Sequence, residues 1–129
     1  MVSLSRQIAQ WIVGLSYDDL PAAVIDRAKG VTLHNLASAL LGSQTQSGRQ
    51  ALALIVSEES GVKQGATLMV DGTTVTKGGA VFANSELIMS GGKVDSYRML
   101  THPGTSILPG AFVAAETARA SGREFLTGV

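Results

Sequence analysis

No cysteine occurs among the 129 residues, which excludes disulfides, thiolate zinc sites and thiolate-held iron–sulfur clusters. Histidine is nearly as scarce. His34 and His102 lack a partner at metal-ligand spacing, so no metal site is expected. Aromatic residues supply only 5% of the chain, which leaves the packing to Ala, Leu, Val and Ile. An excess of either charge is missing too. Lys+Arg and Asp+Glu both number 10, whereas a nucleic-acid binder normally carries a basic excess or stripe, so no nucleic-acid partner is expected. Long apolar runs are also absent. No window approaches the roughly 18 apolar residues of a membrane span. The N-terminal MVSLSRQIAQWIVGL is interrupted by Arg6, Gln7 and Gln10, unlike a signal peptide. The expectation is a cytoplasmic protein that makes no membrane contact.

What is present is 45% apolar, enough for the core of one small domain or of part of a larger one. The pattern predicts a mostly α fold of about five to six helices, with one short β-hairpin near residues 67–76. Leu4, Ile8, Trp11, Ile12 and Leu15 recur at helical spacing and predict an amphipathic first helix, ended by Gly14 and SYDD. Pro21 suits the opening of a second helix, with Val24, Ile25, Ala28, Leu36, Ala39 and Leu40 inward and Gly42 as its stop. Gly30 within it is expected to mark a close helix crossing. A third helix is predicted from about Gly48 to Glu59, with Leu52, Ile55 and Val56 inward.

Period two then takes over. Leu68 and Val70 precede Asp71-Gly72, and Val75 follows, which is a hairpin signal. Gly78-Gly79 should close it. A fourth helix is predicted over roughly Ala80 to Met89, with Val81, Phe82, Ile88 and Met89 on its inner side. A fifth follows, with Ile107, Leu108, Ala111, Phe112 and Ala115 on one face and Pro109 in its first turn. Ser121 and Glu124 form a capping box that announces one more helix. Only five residues remain to build it, so residues 1–129 are expected to be the first part of a larger helical domain.

Between the fourth and fifth helices lies KVDSYRMLTHPG, from Lys93 to Gly104. Imidazole changes charge near neutral pH, which makes His102 a candidate general acid or base. Pro103 holds its backbone extended and Gly104 allows a sharp turn. Asp95 can orient or charge-stabilise a partner. Ser96 and Thr101 read as hydrogen-bond donors, since no second histidine or lysine is placed to activate them as nucleophiles. Lys93 and Arg98 make the loop locally cationic, and arginine can hold a carboxylate through two hydrogen bonds. A solvated connection with His102 as a helix cap is the plainer alternative. SGGK at Ser90 to Lys93 is not a phosphate loop, because Val94 stands where the hydroxyl residue belongs.

Three stretches taken in order, WIVGLSYDDLPAAVIDRAKGVTLHNLASALLGS, VFANSEL and THPGTSILPGAFVAAETARASGREFLTGV, resemble the N-terminal part of the MmgE/PrpD family. That family includes 2-methylcitrate dehydratases, cis-aconitate decarboxylases and an iminodisuccinate epimerase. The resemblance implies that residues 1–129 form part of an all-helical domain, with the rest of that domain and a smaller α+β domain absent. It implies homodimers in the full-length form, a small polycarboxylate substrate and no cofactor. His102 matches the active-site histidine of the family. Asp95 and Ser96 match the end of its D-x-D-D-[TS] run, while Gly92 and Lys93 stand where that run begins.

On this reading the segment belongs to a cofactor-independent lyase or isomerase. His102, Asp95 and Ser96 are expected in catalysis, and Lys93, Arg98 and Thr101 in substrate binding. A non-catalytic helical module that binds a protein partner is the competing expectation.

Overall fold

The structure, a computed structural model, describes residues 2–98 and 101–129. Within them the chain is mostly helical, as the sequence predicts. The helices are α1 (Leu4–Gly14), α2 (Ala22–Gly42), α3 (Gln46–Glu59), α4 (Lys77–Ser90), α5 (Gly104–Ala118) and α6 (Gly122–Gly128), with a 3-10 turn at Tyr17–Asp19. Strands β1 (Ala66–Thr67) and β2 (Thr74–Val75) pair antiparallel, with Ala66 opposite Val75.

Hydroxyl side chains cap the starts of α3, α4 and α6. Thr45 accepts from Gly48 N–H at 3.1 Å, Thr76 from Gly79 N–H at 3.0 Å, and Ser121 from Glu124 N–H at 3.3 Å. Each satisfies one of the donors that a helix start leaves free. The hairpin turns where Asp71-Gly72 predicts it. Gly72 has φ +78°, and Asp71 Oδ1 accepts from Thr73 N–H at 2.9 Å.

α4 is the central helix and packs against α2, α3 and α5. One part of the core joins Ile55, Ala66, Leu68, Val75, Ala80, Ala83 and Val113, and another joins Ala39, Leu87 and Ile88. The inner face of α4 differs from the expected one. Ala80, Ala83, Asn84, Leu87 and Ile88 are buried, whereas Phe82 and Met89 face solvent. Small residues win the inner stripe because three neighbours crowd onto it.

α2 is rotated from expectation in the same way. Asn35, Ser38, Ala39 and Gly42 are buried, while Val24 and Leu40 are largely exposed. Gly30 marks no crossing, since a Cβ there would meet nothing within 4 Å. The close approaches fall at Gly42 and Gly48 instead. A Cβ on Gly42 would overlap the carbonyl oxygen of Leu87, and one on Gly48 would overlap that of Gly42. Pro109 is buried inside α5 rather than in its first turn, because the helix starts five residues earlier, at Gly104.

α1 forms at the predicted place but buries no residue. Leu4, Ile8, Trp11 and Ile12 remain exposed, Trp11 at 65%. α6 is tied down better. Phe125 stacks on Phe112 with centroids 4.5 Å apart. Arg123 lies 4.3 Å from the Tyr17 ring centroid and pairs with Asp18. No helix among the described residues is long and apolar enough to cross a membrane.

Candidate functional site

The loop from α4 to α5 carries the chemistry, and α2 holds its start. Near its start, Ser38 Oγ donates to the carbonyl of Ile88 at 2.8 Å and accepts from Lys93 N–H at 3.3 Å. Gly91 permits this contact, because a Cβ there would overlap the carbonyl oxygen of Ser38. At its far end, both carboxylate oxygens of Asp95 accept from Gly104 N–H, at 3.1 and 3.0 Å. That contact caps α5 with negative charge at the positive end of the helix. A Cβ on Gly104 would collide with Asp95 Oδ1 and sit 2.7 Å from Asn35 Nδ2. Asn35 and Ser38, one helical turn apart, therefore form a shelf beneath the loop.

Tyr97 and Thr101 pair with each other. Tyr97 N–H donates to the Thr101 carbonyl at 2.9 Å, and Thr101 Oγ1 donates to the Tyr97 carbonyl at 2.9 Å. Arg98 takes the left-handed conformation at φ 52°, with its guanidinium carbon 5.2 Å from the Tyr97 ring centroid. Gly92 is also left-handed, at φ +68°. This is the position at which the resemblance places an acidic residue in relatives. Glycine takes such a φ at no steric cost, and a residue with a Cβ does not.

His102 is half-buried. Its Nδ1 lies 2.8 Å from the carbonyl oxygen of Asp95 and 3.3 Å from Ser96 Oγ. Its own carbonyl accepts from Thr105 Oγ1 at 2.6 Å in the first turn of α5. The fold thus brings Asp95, Ser96 and His102 together. Among the described residues, Lys93 and Arg98 make no hydrogen bond or ion pair with those three side chains. Both are exposed on the same loop. Thr101 is exposed too, and its hydroxyl proton is spent on Tyr97.

A cavity of about 590 Å³ lies behind the loop, walled by apolar residues such as Trp11, Leu15, Val24 and Ile107, with Arg27 and Asp95 as its charged groups. His102 does not line it. Among the described residues, no group of three His, Asp or Glu could hold a metal ion.

Four further polar residues organise this region without having stood out in the sequence. Asn35 and Ser38 are two. Their signal was available, since they fall at helical spacing with Ala39 and Gly42 on one stripe. Asn84 and Glu116 are the others, and both hold the hairpin. Asn84 accepts from Met69 N–H at 2.9 Å and donates to the Thr67 carbonyl at 3.0 Å. Glu116 accepts from Thr67 N–H at 2.9 Å and from the Thr67 hydroxyl.

The profile of the MmgE/PrpD N-terminal domain matches residues 6–129. Neither the curated proteins nor the solved structures contain a match to this chain.

Proposed function

This chain belongs to the MmgE/PrpD family through its N-terminal domain, and on that premise we propose that it supplies the histidine-bearing wall of an active site. The enzyme would be a cofactor-independent lyase or isomerase of the 2-methylcitrate dehydratase kind, acting on a small polycarboxylate. The observation that carries this reading is His102 itself, held through Nδ1 on a loop anchored at both ends and flanked by exposed cations.

Dehydration, decarboxylation and epimerisation of polycarboxylates all move a proton next to a carboxylate. A base removes the proton, and the C–H electron pair passes into the substrate, where it expels a leaving group or is held until a proton returns. Cations beside the carboxylates stabilise that charge. His102 is the base or acid in this scheme, oriented by Asp95 and Ser96. Lys93 and Arg98 hold carboxylates, with Thr101 beside them. Elimination of water also needs an acid for the leaving oxygen. Among the described residues, the one carboxylate beside His102 is that of Asp95, and it is committed to capping α5. A second proton carrier is therefore needed beside His102, and the family resemblance implies a homodimeric full-length form.

Tricarballylate tests the binding half of this reading, since it carries three carboxylates and no hydroxyl to eliminate. Titrated into ¹⁵N-labelled protein, it should shift the amides of Lys93, Ser96, Arg98 and Thr101. If those amides stay still at tens of millimolar ligand, the reading fails and a non-catalytic helical module is left.

A further inference from the structure

We infer that His102 works through Nε2 alone, and that Ser96 cannot be activated as a nucleophile. The inference rests on the reading of His102 as the acid/base group and names the atom that acts.

A backbone carbonyl oxygen can only accept a hydrogen bond. The 2.8 Å contact between His102 Nδ1 and the Asp95 carbonyl therefore requires the proton to sit on Nδ1. In the neutral ring the lone pair is then on Nε2. The second neighbour of Nδ1, Ser96 Oγ at 3.3 Å, falls in line with this. It accepts a weaker share of the same N–H and keeps its own hydroxyl proton for another partner. A serine is activated when its proton can pass to an imidazole lone pair. Here the ring nitrogen beside Ser96 has none.

The sequence favours this arrangement. Asp95, Ser96 and His102 lie within eight residues of one another. Tyr97 and Thr101 are hydrogen-bonded to each other, and the carbonyl of Asp95 lies against the imidazole. Asp95 thus serves twice: its carboxylate caps α5 and its carbonyl fixes the ring. The proton balance follows. As a base, Nε2 gains the substrate proton, an N–H bond forms as a C–H bond breaks, and the electron pair remains on the substrate. As an acid, the same N–H returns its proton. Nδ1–H stays with the Asp95 carbonyl in both states.

Long-range ¹H–¹⁵N correlation spectra of histidine-labelled protein read the tautomer directly. At about pH 9, where imidazoles are neutral, His102 should show a proton-bearing Nδ1 and a pyridine-like Nε2. His34 is exposed, and among the described residues it has no hydrogen-bond partner. It serves as the reference, and His34→Gln assigns the signals. A proton on Nε2 of His102 overturns the inference. Ser96→Ala should keep the His102 pattern, because the carbonyl holds it, and a switch to the other tautomer counts against the inference. A serine-directed phosphonofluoridate should leave Ser96 unmodified, and an adduct at Ser96 refutes its exclusion as a nucleophile. None of these measurements needs a substrate. A failed tricarballylate titration leaves the tautomer standing, and a wrong tautomer leaves carboxylate binding standing.

Discussion

The two carboxylate oxygens of Asp95 share the backbone N–H of Gly104, at 3.1 and 3.0 Å. A carboxylate that the sequence offers as an orienting group beside His102 thus also holds the first free N–H of α5. Capping side chains contribute roughly 0.5–2 kcal/mol. Asp95→Ala should lower stability by about that amount, measured by urea denaturation, and Asp95→Asn by less, since an amide oxygen still accepts. An Asp95→Ala variant as stable as the parent would contradict the cap.

Two glycines in α2 should respond oppositely to alanine. Gly30 has open space around it, so Gly30→Ala should stabilise the helix by roughly 0.5–1 kcal/mol through backbone entropy and propensity. At Gly42 the added methyl would overlap the Leu87 carbonyl in a neighbouring helix. Gly42→Ala should cost at least the roughly 1–3 kcal/mol typical of overpacking, because backbone cannot swing aside as a side chain can. Thermal melts of the two variants, followed by circular dichroism, give the signs.

Acid should release the capping boxes before it disturbs the core. The Ser16 side chain and then its N–H hold Asp19 below the usual carboxylate range, and the Ser121 N–H and side chain do the same for Glu124. A depressed folded-state value means stability that is present above the ordinary range and is lost as pH falls through the lowered value. Amide protection in α6, taken relative to the intrinsic exchange rate at each pH, should therefore fall in acid while α4 stays protected, and Glu124→Gln should remove that pH dependence. Both carboxylates are fully exposed, so the effect stays local.

In a polypeptide that contains this domain and turns over its substrate, His102→Ala should lower kcat by about 10²–10⁴-fold, the usual worth of a positioned acid or base. Its melting temperature should stay near that of the parent. Arg98→Ala should act mainly through KM, because a carboxylate clamp serves ground state and transition state alike. Near-normal kcat in His102→Ala, together with a lowered melting temperature, would make the ring a structural prop.

The helices, the Asp-Gly hairpin and the Ser121–Glu124 box were legible because each is specified locally, by period, turn chemistry or a three-residue cap. Which side of a helix faces inward was not. Phe82 outweighs Ala83 in any count of apolar residues, yet Ala83 is buried and Phe82 is not. The choice depends on how near the neighbouring backbones come, which is a property of the assembled helices. The loop was legible as an unusual cluster of functional groups. The second use of Asp95 and the support from Ser38 were not, because both arise from contacts to backbone atoms that no residue pattern displays.

Trp11 is the only tryptophan in the chain, and it sits on α1, a helix with no buried residue. Intrinsic fluorescence is therefore a reporter of the wrong event. Its emission starts out solvent-shifted and changes little as the core around α4 comes apart. A denaturation curve followed by tryptophan emission would look flat or early beside one followed by helicity, and the mismatch would mimic an intermediate even in a cooperative transition. A tryptophan placed in the core, with Trp11→Phe, restores the optical readout.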